Sequence, residues 1–255
     1  MKSLKIITLL LSVFIVSSCA ELSQVAKTIG TQGLPLSNAE IVSGLKEALL
    51  VGTDSSVNRL SAVDGYLRDE AVKILLPPEA RTIMDNVSKI PGGATLVDDV
   101  ILRINRAAED AAKGAKPIFV NSVKQMTFTD ALQILRGPDN AATTYFKQKT
   151  STQLSNLYRP KIHESLNKAL IAGITTQQSW DKLTTTWNKF AGSTVGQIAG
   201  YKTVDVKLED YLLQQALNGL FLKIADREKD IRNNATARVT DILKRVFGSQ
   251  EASRQ

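Results

Sequence analysis

The 255-residue chain has one cysteine and one histidine, and only 5% of its residues are aromatic. A single histidine cannot build a multi-histidine metal centre, and a single cysteine excludes an internal disulfide or a zinc cluster. No apolar run approaches the roughly 20 residues of a membrane-spanning helix. No Gly-x-Ser-x-Gly elbow, phosphate loop or dinucleotide-binding glycine fingerprint occurs. These gaps leave a chain with no expected cofactor, metal or catalytic residue. The remainder, 43% hydrophobic and 22% charged, has the composition of an ordinary folded protein.

The lone cysteine stands at a telling place. Lys2 and Lys5 form a short basic start, Ile6–Val16 is apolar apart from Thr8 and Ser12, and Ser17, Ser18 and Cys19 follow. This is the layout of a secretory signal. Val16-Ser17-Ser18-Cys19 resembles the bacterial lipobox, which implies cleavage after residue 18 and acylation of Cys19. Two or more acyl chains give durable membrane attachment, at about 0.8 kcal/mol per buried CH2. Ala20 follows the cysteine, and by analogy with lipoprotein sorting this points to the outer membrane, facing the periplasm. Loss of residues 1–18 removes two lysines and no acid, taking the formal charge from +7 to +5. Such an excess suits anionic lipid or cell-wall polymer. Nucleic acid is not an expected partner of an exported, aromatic-poor domain.

Residues 19–36, with Gly30, Gly33 and Pro35, read as a lipidated tether. A flexible segment of this length spans roughly 20–25 Å. Residues 37–248 carry helical periodicity, and 249–255 read as a disordered tail. Ser37 and Glu40 form a capping box ahead of Ile41, Leu45, Ala48 and Leu49. Gly52 is expected to end that helix, with a second beginning near Ser55. Pro77-Pro78 is expected to open a helix carrying Ile83, Met84, Val87 and Ile90, closed by Pro91-Gly92-Gly93. Apolar residues from Leu96 to Ala111 follow at strong helical spacing. Two runs, about 139–149 and 151–172, are expected to kink or break at Arg159-Pro160. Trp180, Leu183, Trp187 and Phe190 mark one helical face, and 191–206 reads as a long loop. The helix expected over about 207–232 has two apolar rows, Leu208/Leu212/Ala216/Leu220 and Leu213/Leu217/Phe221/Ile224, which place it near the centre of the core. Val239 to Val246 closes the body with a short amphipathic helix. Nothing alternates with period two. The fold class is therefore all-α, a single multi-helix, bundle-like domain.

The polar residues offer little chemistry. His163 lies on a helical run without a nucleophile motif and reads as a surface or half-buried side chain. Ser-x-x-Lys occurs at Ser43, Ser165 and Ser179 without the companion elements of a serine acyl-enzyme. Carboxylate pairs read as solvated faces with i,i+4 partners, such as Glu109 with Lys113 and Glu228 with Arg232. Arg106 with Glu109, and Arg136 before Gly137-Pro138, stand beside tightly patterned apolar segments. An arginine there caps a helix end or binds an anion. Arg106, Glu109, Arg136, Glu228 and Arg232 together form the candidate polar or ligand site.

Several stretches carry a family resemblance. They are Gly44-Leu45-Lys46-Glu47-Ala48-Leu49 with Gly52-Thr53; Asn105-Arg106-Ala107-Ala108-Glu109 with Lys116-Pro117-Ile118-Phe119; Ala131-Leu132 with Leu135-Arg136-Gly137; Ala141-Ala142-Thr143 with Tyr145-Phe146; and Leu217-Asn218-Gly219-Leu220-Phe221 with Ile224-Ala225, Glu228 and Ile231-Arg232. Over about residues 40–248 the chain resembles the bacterial exported proteins catalogued as domain of unknown function 4197. Arg227 departs from the acidic residue of that pattern. The resemblance implies an exported, mainly helical domain and transfers no catalytic residue. The expected role is a lipid-anchored envelope module that binds or scaffolds an envelope protein. The alternative is a periplasmic carrier of an apolar ligand or lipid, and an enzyme is the least favoured reading.

Overall fold

The computed structural model describes residues 37–89, 92–169 and 173–254. Cys19 and the segments expected to be a signal and a tether lie outside them. The described residues form ten α-helices and no β-strand, as the absence of period-two alternation implies.

At the start of the first helix, α1 (Asn38–Ser61), the Glu40 carboxylate accepts from the Ser37 N–H at 2.9 Å and the Ser37 hydroxyl accepts from the Glu40 N–H at 3.3 Å. The expected capping box is present. The break expected at Gly52 is not, because α1 continues through it. Gly44, Ala48, Gly52 and Ser56 recur every four residues on one buried stripe. A Cβ at Gly44 would lie 2.7 Å from Val246 and 2.8 Å from Ile242. Gly44 thus allows close approach of a neighbouring helix, and Gly52, whose Cβ would meet Arg227 and Ile231 at 3.6 and 3.8 Å, faces a packed neighbour rather than a helix end. A single sequence gives the two uses the same letter.

Pro77-Pro78 opens only short pieces: a 3-10 turn at Pro78–Ala80, α2 (Arg81–Asp85) and a second 3-10 turn at Val87–Lys89. Gly92, at φ +67°, precedes α3 (Gly93–Ala112). After α4 (Lys116–Gln125) and α5 (Phe128–Arg136), α6 runs unbroken from Ala141 to Asn167. Pro160 therefore neither ends nor divides it. The proline faces solvent, where water can satisfy the carbonyl it leaves free, while Leu154, Tyr158, Ile162 and Leu166 keep the opposite face buried.

A capping box of Thr175 and Gln178 starts α7 (Thr176–Ala191), which buries Trp180, Leu183 and Trp187. The following segment is not all loop: Ser193 caps the five-residue α8 (Thr194–Ile198). Residues 201–207 then run beside α7 without helix or strand. The Trp187 indole donates to the Lys202 carbonyl at 2.9 Å, and Asn188 pairs with both the N–H and the carbonyl of Val204. The long α9 (Leu208–Asn233) buries both predicted apolar rows and packs on α6 and α3. Phe119 packs edge-on against Phe146 and Phe221 between α4, α6 and α9. The last helix, α10 (Asp241–Arg254), continues past residue 248, where the sequence suggests a tail.

Candidate functional site: charged staples and an open polar cleft

Helix α6 begins without a side-chain cap of its own, since Asn140 makes no such bond. Its first turn is capped from another helix. Glu228 on α9 accepts from the N–H groups of Ala142 and Thr143, both at 2.8 Å, and from the Thr143 hydroxyl at 2.9 Å. One helical turn on, Arg232 donates to the same carboxylate through Nε at 3.0 Å and Nη2 at 2.9 Å. Arg232 also donates to the carbonyls of Ile134 and Leu135, in the last turn of α5. The acid sits at the positive end of α6 and the base at the negative end of α5, so each complements a helix dipole as well as a set of orphan groups. Both side chains are under 10% exposed. The solvated i,i+4 face expected here is a buried staple. Arg238 likewise donates to the carbonyls of Ile231 and Arg232 at the end of α9.

A second set lies on α3. Residues 62–77 carry no helix before the 3-10 turn at Pro78, and three side chains of α3 hold them. Asn105 accepts from the Ile74 N–H at 2.9 Å and donates to the Ile74 carbonyl at 2.8 Å. Glu109 accepts from the N–H groups of Tyr66 and Leu67. Arg106 bridges Glu109 at 2.7 Å and Asp64 at 2.6 Å. Asp64 takes a left-handed conformation at φ +69°, and its hydrogen bond to Arg106 holds its carboxyl below the usual carboxylate range. The expected Glu109–Lys113 pair is replaced: Lys113 joins Asp110 instead. Tyr66, fully buried, donates its hydroxyl to the Ala216 carbonyl at 2.7 Å, and burial raises its pKa well above the usual phenol value.

Arg103, which sequence reasoning passed over, is 2% exposed and pairs with Asp99 at 2.8 Å. Asp99 also accepts from the Ser179 hydroxyl at 2.6 Å, and Arg103 donates to the Ile174 carbonyl. Burial raises the Asp99 pKa, but the hydrogen bonds from Arg103 and Ser179 outweigh it and the net shift is downward. Two of the three Ser-x-x-Lys hydroxyls are thus engaged structurally: Ser179 with Asp99, and Ser165 with Asp110 at 2.9 Å. Only a short spacing to Asp99 hinted at Arg103 in the sequence. The Ile174 carbonyl that Arg103 reaches is 71 positions away, and the Ser179 hydroxyl that completes the Asp99 pair is 80 from Asp99.

Arg136 is exposed at the end of α5, apart from both staples. An open pocket of about 240 Å³ lies nearby, lined by Asp130, Gly137, Pro138, Tyr145 and Gln148. The structure therefore does not gather the five predicted site residues into one site. It makes two separate staples and leaves one arginine outside.

The roomier opening is a polar cleft of about 530 Å³ between α6, α7, the 204–207 segment and the start of α9. Arg159, Asp181, Asp205, Lys207, Glu209 and Asp210 line it. Arg159 pairs with Asp210 at 2.6 Å and lies 3.5 Å from Glu209. These two hold the Arg159 guanidinium firmly protonated, its hydrogen bond to Asp210 first. His163 is an exposed residue of α6, as its sequence context suggests, with Nδ1 2.9 Å from Glu209. Two basic and four acidic side chains line this mouth, which leaves it with an excess of negative charge. By contrast, the apolar pocket between α1, α6, α9 and α10, bordered by Leu45, Phe146, Ile224 and Phe247, is about 20 Å³.

Among the described residues no cluster of three His, Cys, Asp or Glu side chains could hold a metal, and no helix is long and apolar enough to cross a membrane. No curated protein and no solved structure is significantly similar to the chain. A family model described as a protein of unknown function (DUF4197) matches residues 35–248, nearly the whole helical body and both staples. The chain belongs to the DUF4197 family.

Proposed function

We propose that this chain is a lipid-anchored module of the bacterial cell envelope, attached to the outer membrane through acyl chains on Cys19, whose helical body binds an envelope protein without catalysing a reaction. The address rests on the basic and apolar leader and on the one cysteine at the lipobox position. The observation that carries the binding role is how the buried charged and polar side chains are used. Glu228, Arg232, Arg103, Asn105 and Glu109 each secure a helix end or a loop, while the cleft around Arg159, Asp205 and Lys207 stays open.

The carrier reading has weaker support. A pocket enclosing a small organic ligand measures roughly 300–1,000 Å³, and the apolar pocket beside Leu45 and Phe247 offers about 20 Å³, space for one water. The test combines two measurements on natively produced protein. Intact mass should show acylation at residue 19, and a photo-crosslinker at Asp205 should capture one reproducible envelope protein that Lys207→Glu abolishes. An unmodified Cys19 overturns the address. Capture of lipid or cell-wall fragments alone overturns the binding role.

A further inference from the structure

Helix α8 is five residues long, and its apolar residues point outward. Val195 is 67% exposed and Ile198 83%. They are two of the three most exposed large apolar side chains among the described residues, and they stand one helical turn apart. Thr194, Gln197, Ala199 and Gly200 are exposed around them, so the turn projects from the body. Isolated apolar residues on a surface are ordinary, but a paired, projecting set is not.

The segment that carries the tip is basic. Residues 182–204 hold Lys182, Lys189 and Lys202 and no acidic residue. Lys189 and Lys202 are exposed. A further lysine arrives from the distant 3-10 turn at Val87–Lys89. Lys89 donates to the Tyr201 hydroxyl, and its ammonium lies 4.8 Å from the centre of the Tyr201 ring. Beneath the tip, Trp187, Phe190 and Tyr201 form a mutually packed triangle with centroids 5.5–5.7 Å apart. Ser193 fixes the turn by accepting from the Gly196 N–H and donating to the Phe190 carbonyl. The apolar pair is therefore presented on a braced base, with the half-exposed rings of Phe190 and Tyr201, the buried Trp187 and lysines behind it.

This order, apolar tip, then aromatics, then cations, matches the layers of a lipid interface, where acyl chains give way to head groups and then to anionic surface charge. We infer that α8 is a membrane-contact tip that inserts Val195 and Ile198 into an anionic lipid surface while Lys89, Lys189 and Lys202 meet the head groups. A protein partner would be expected to present carboxylates in a fixed pattern; exposed lysines spread over separate segments, Lys89 on its 3-10 turn and Lys189 and Lys202 either side of the tip, suit a fluid sheet of negative charge better. The tip acts independently of acylation, giving the body a second foothold on the bilayer.

The experiment uses the full chain with Cys19→Ser, which removes the acyl site and the competing thiol, and Ile198→Cys labelled with an environment-sensitive nitrobenzoxadiazole dye. Phosphatidylglycerol–phosphatidylcholine vesicles should shift the emission to the blue, and bromolipids should quench it. Phosphatidylcholine vesicles alone should leave it unchanged, as should the same dye at Lys229→Cys on α9. Val195→Asp should remove the shift, and each of Lys89→Gln, Lys189→Gln and Lys202→Gln should lower vesicle partitioning about fivefold. An unshifted dye at residue 198 on anionic vesicles overturns the inference, even if the leader brings the chain to the membrane. A shift that grows with protein concentration without lipid also overturns it, by assigning the tip to a second copy. Neither outcome bears on acylation of Cys19, which the mass measurement tests separately.

Discussion

Replacing Glu228 by alanine should be among the most damaging single changes in this protein. The carboxylate satisfies two N–H groups in the first turn of α6 and the Thr143 hydroxyl, and it neutralises a guanidinium that is 3% exposed. Removing one partner of a buried ion pair costs about 3–5 kcal/mol, because the other charge remains buried and uncompensated. Two orphaned backbone donors add to that at about 1–3 kcal/mol each, reduced by whatever water enters the space left behind. A typical domain is stable by only about 5–15 kcal/mol. We therefore expect Glu228→Ala to lose at least 4 kcal/mol, on the order of half the total stability. The double variant Glu228→Ala/Arg232→Met should be less damaging than the sum of the two single changes, since it removes the stranded charge together with its partner. Urea unfolding followed by far-ultraviolet circular dichroism measures both quantities, provided the slope with denaturant is unchanged. A loss below about 1 kcal/mol for Glu228→Ala, or strict additivity in the double variant, would refute the stapling argument.

The remaining expectations concern the other attachments. Asn105→Ala should cost about 2–3 kcal/mol by leaving both the N–H and the carbonyl of Ile74 unpaired, and hydrogen exchange should quicken at Ile74 before the helices respond. Gly44→Ala should cost about 1–3 kcal/mol, because its Cβ would lie 2.7 Å from Val246; thermal unfolding of this variant combined with Val246→Ala should recover part of the loss. Asp99 has a carboxyl held below its ordinary value, so its contribution is complete above the unfolded pKa of about 4 and disappears as pH falls through the lower folded value. Acid unfolding of Asp99→Asn should accordingly depend less steeply on pH below about 4 than that of the unaltered chain, and identical slopes would deny Asp99 that role.

The apolar rows of α9 were legible because a stripe of leucines every three and four residues admits one reading, and the Ser37–Glu40 cap because its partners are local. The continuity of α1 and α6 was not. Gly52 and Pro160 are helix breakers by local rule, and what overrides the rule is a distant surface: α9 packed against the glycine stripe, and solvent on the outer side of the proline. Arg106, Glu109, Glu228 and Arg232 could be singled out as unusual beside apolar runs, yet their roles depend on groups 42 to 98 positions away.

By itself, then, the sequence determined the helical class, the position of the central helix and the membership of the family, because hydrophobic periodicity and local capping act over a few residues. Only the tertiary structure decided that Glu228 and Arg232 are buried rather than solvated, that the five candidate residues do not meet, and that α8 turns its apolar side outward. A charge or an apolar side chain acquires its meaning from what lies across from it, and that neighbour is set by the packing of whole helices.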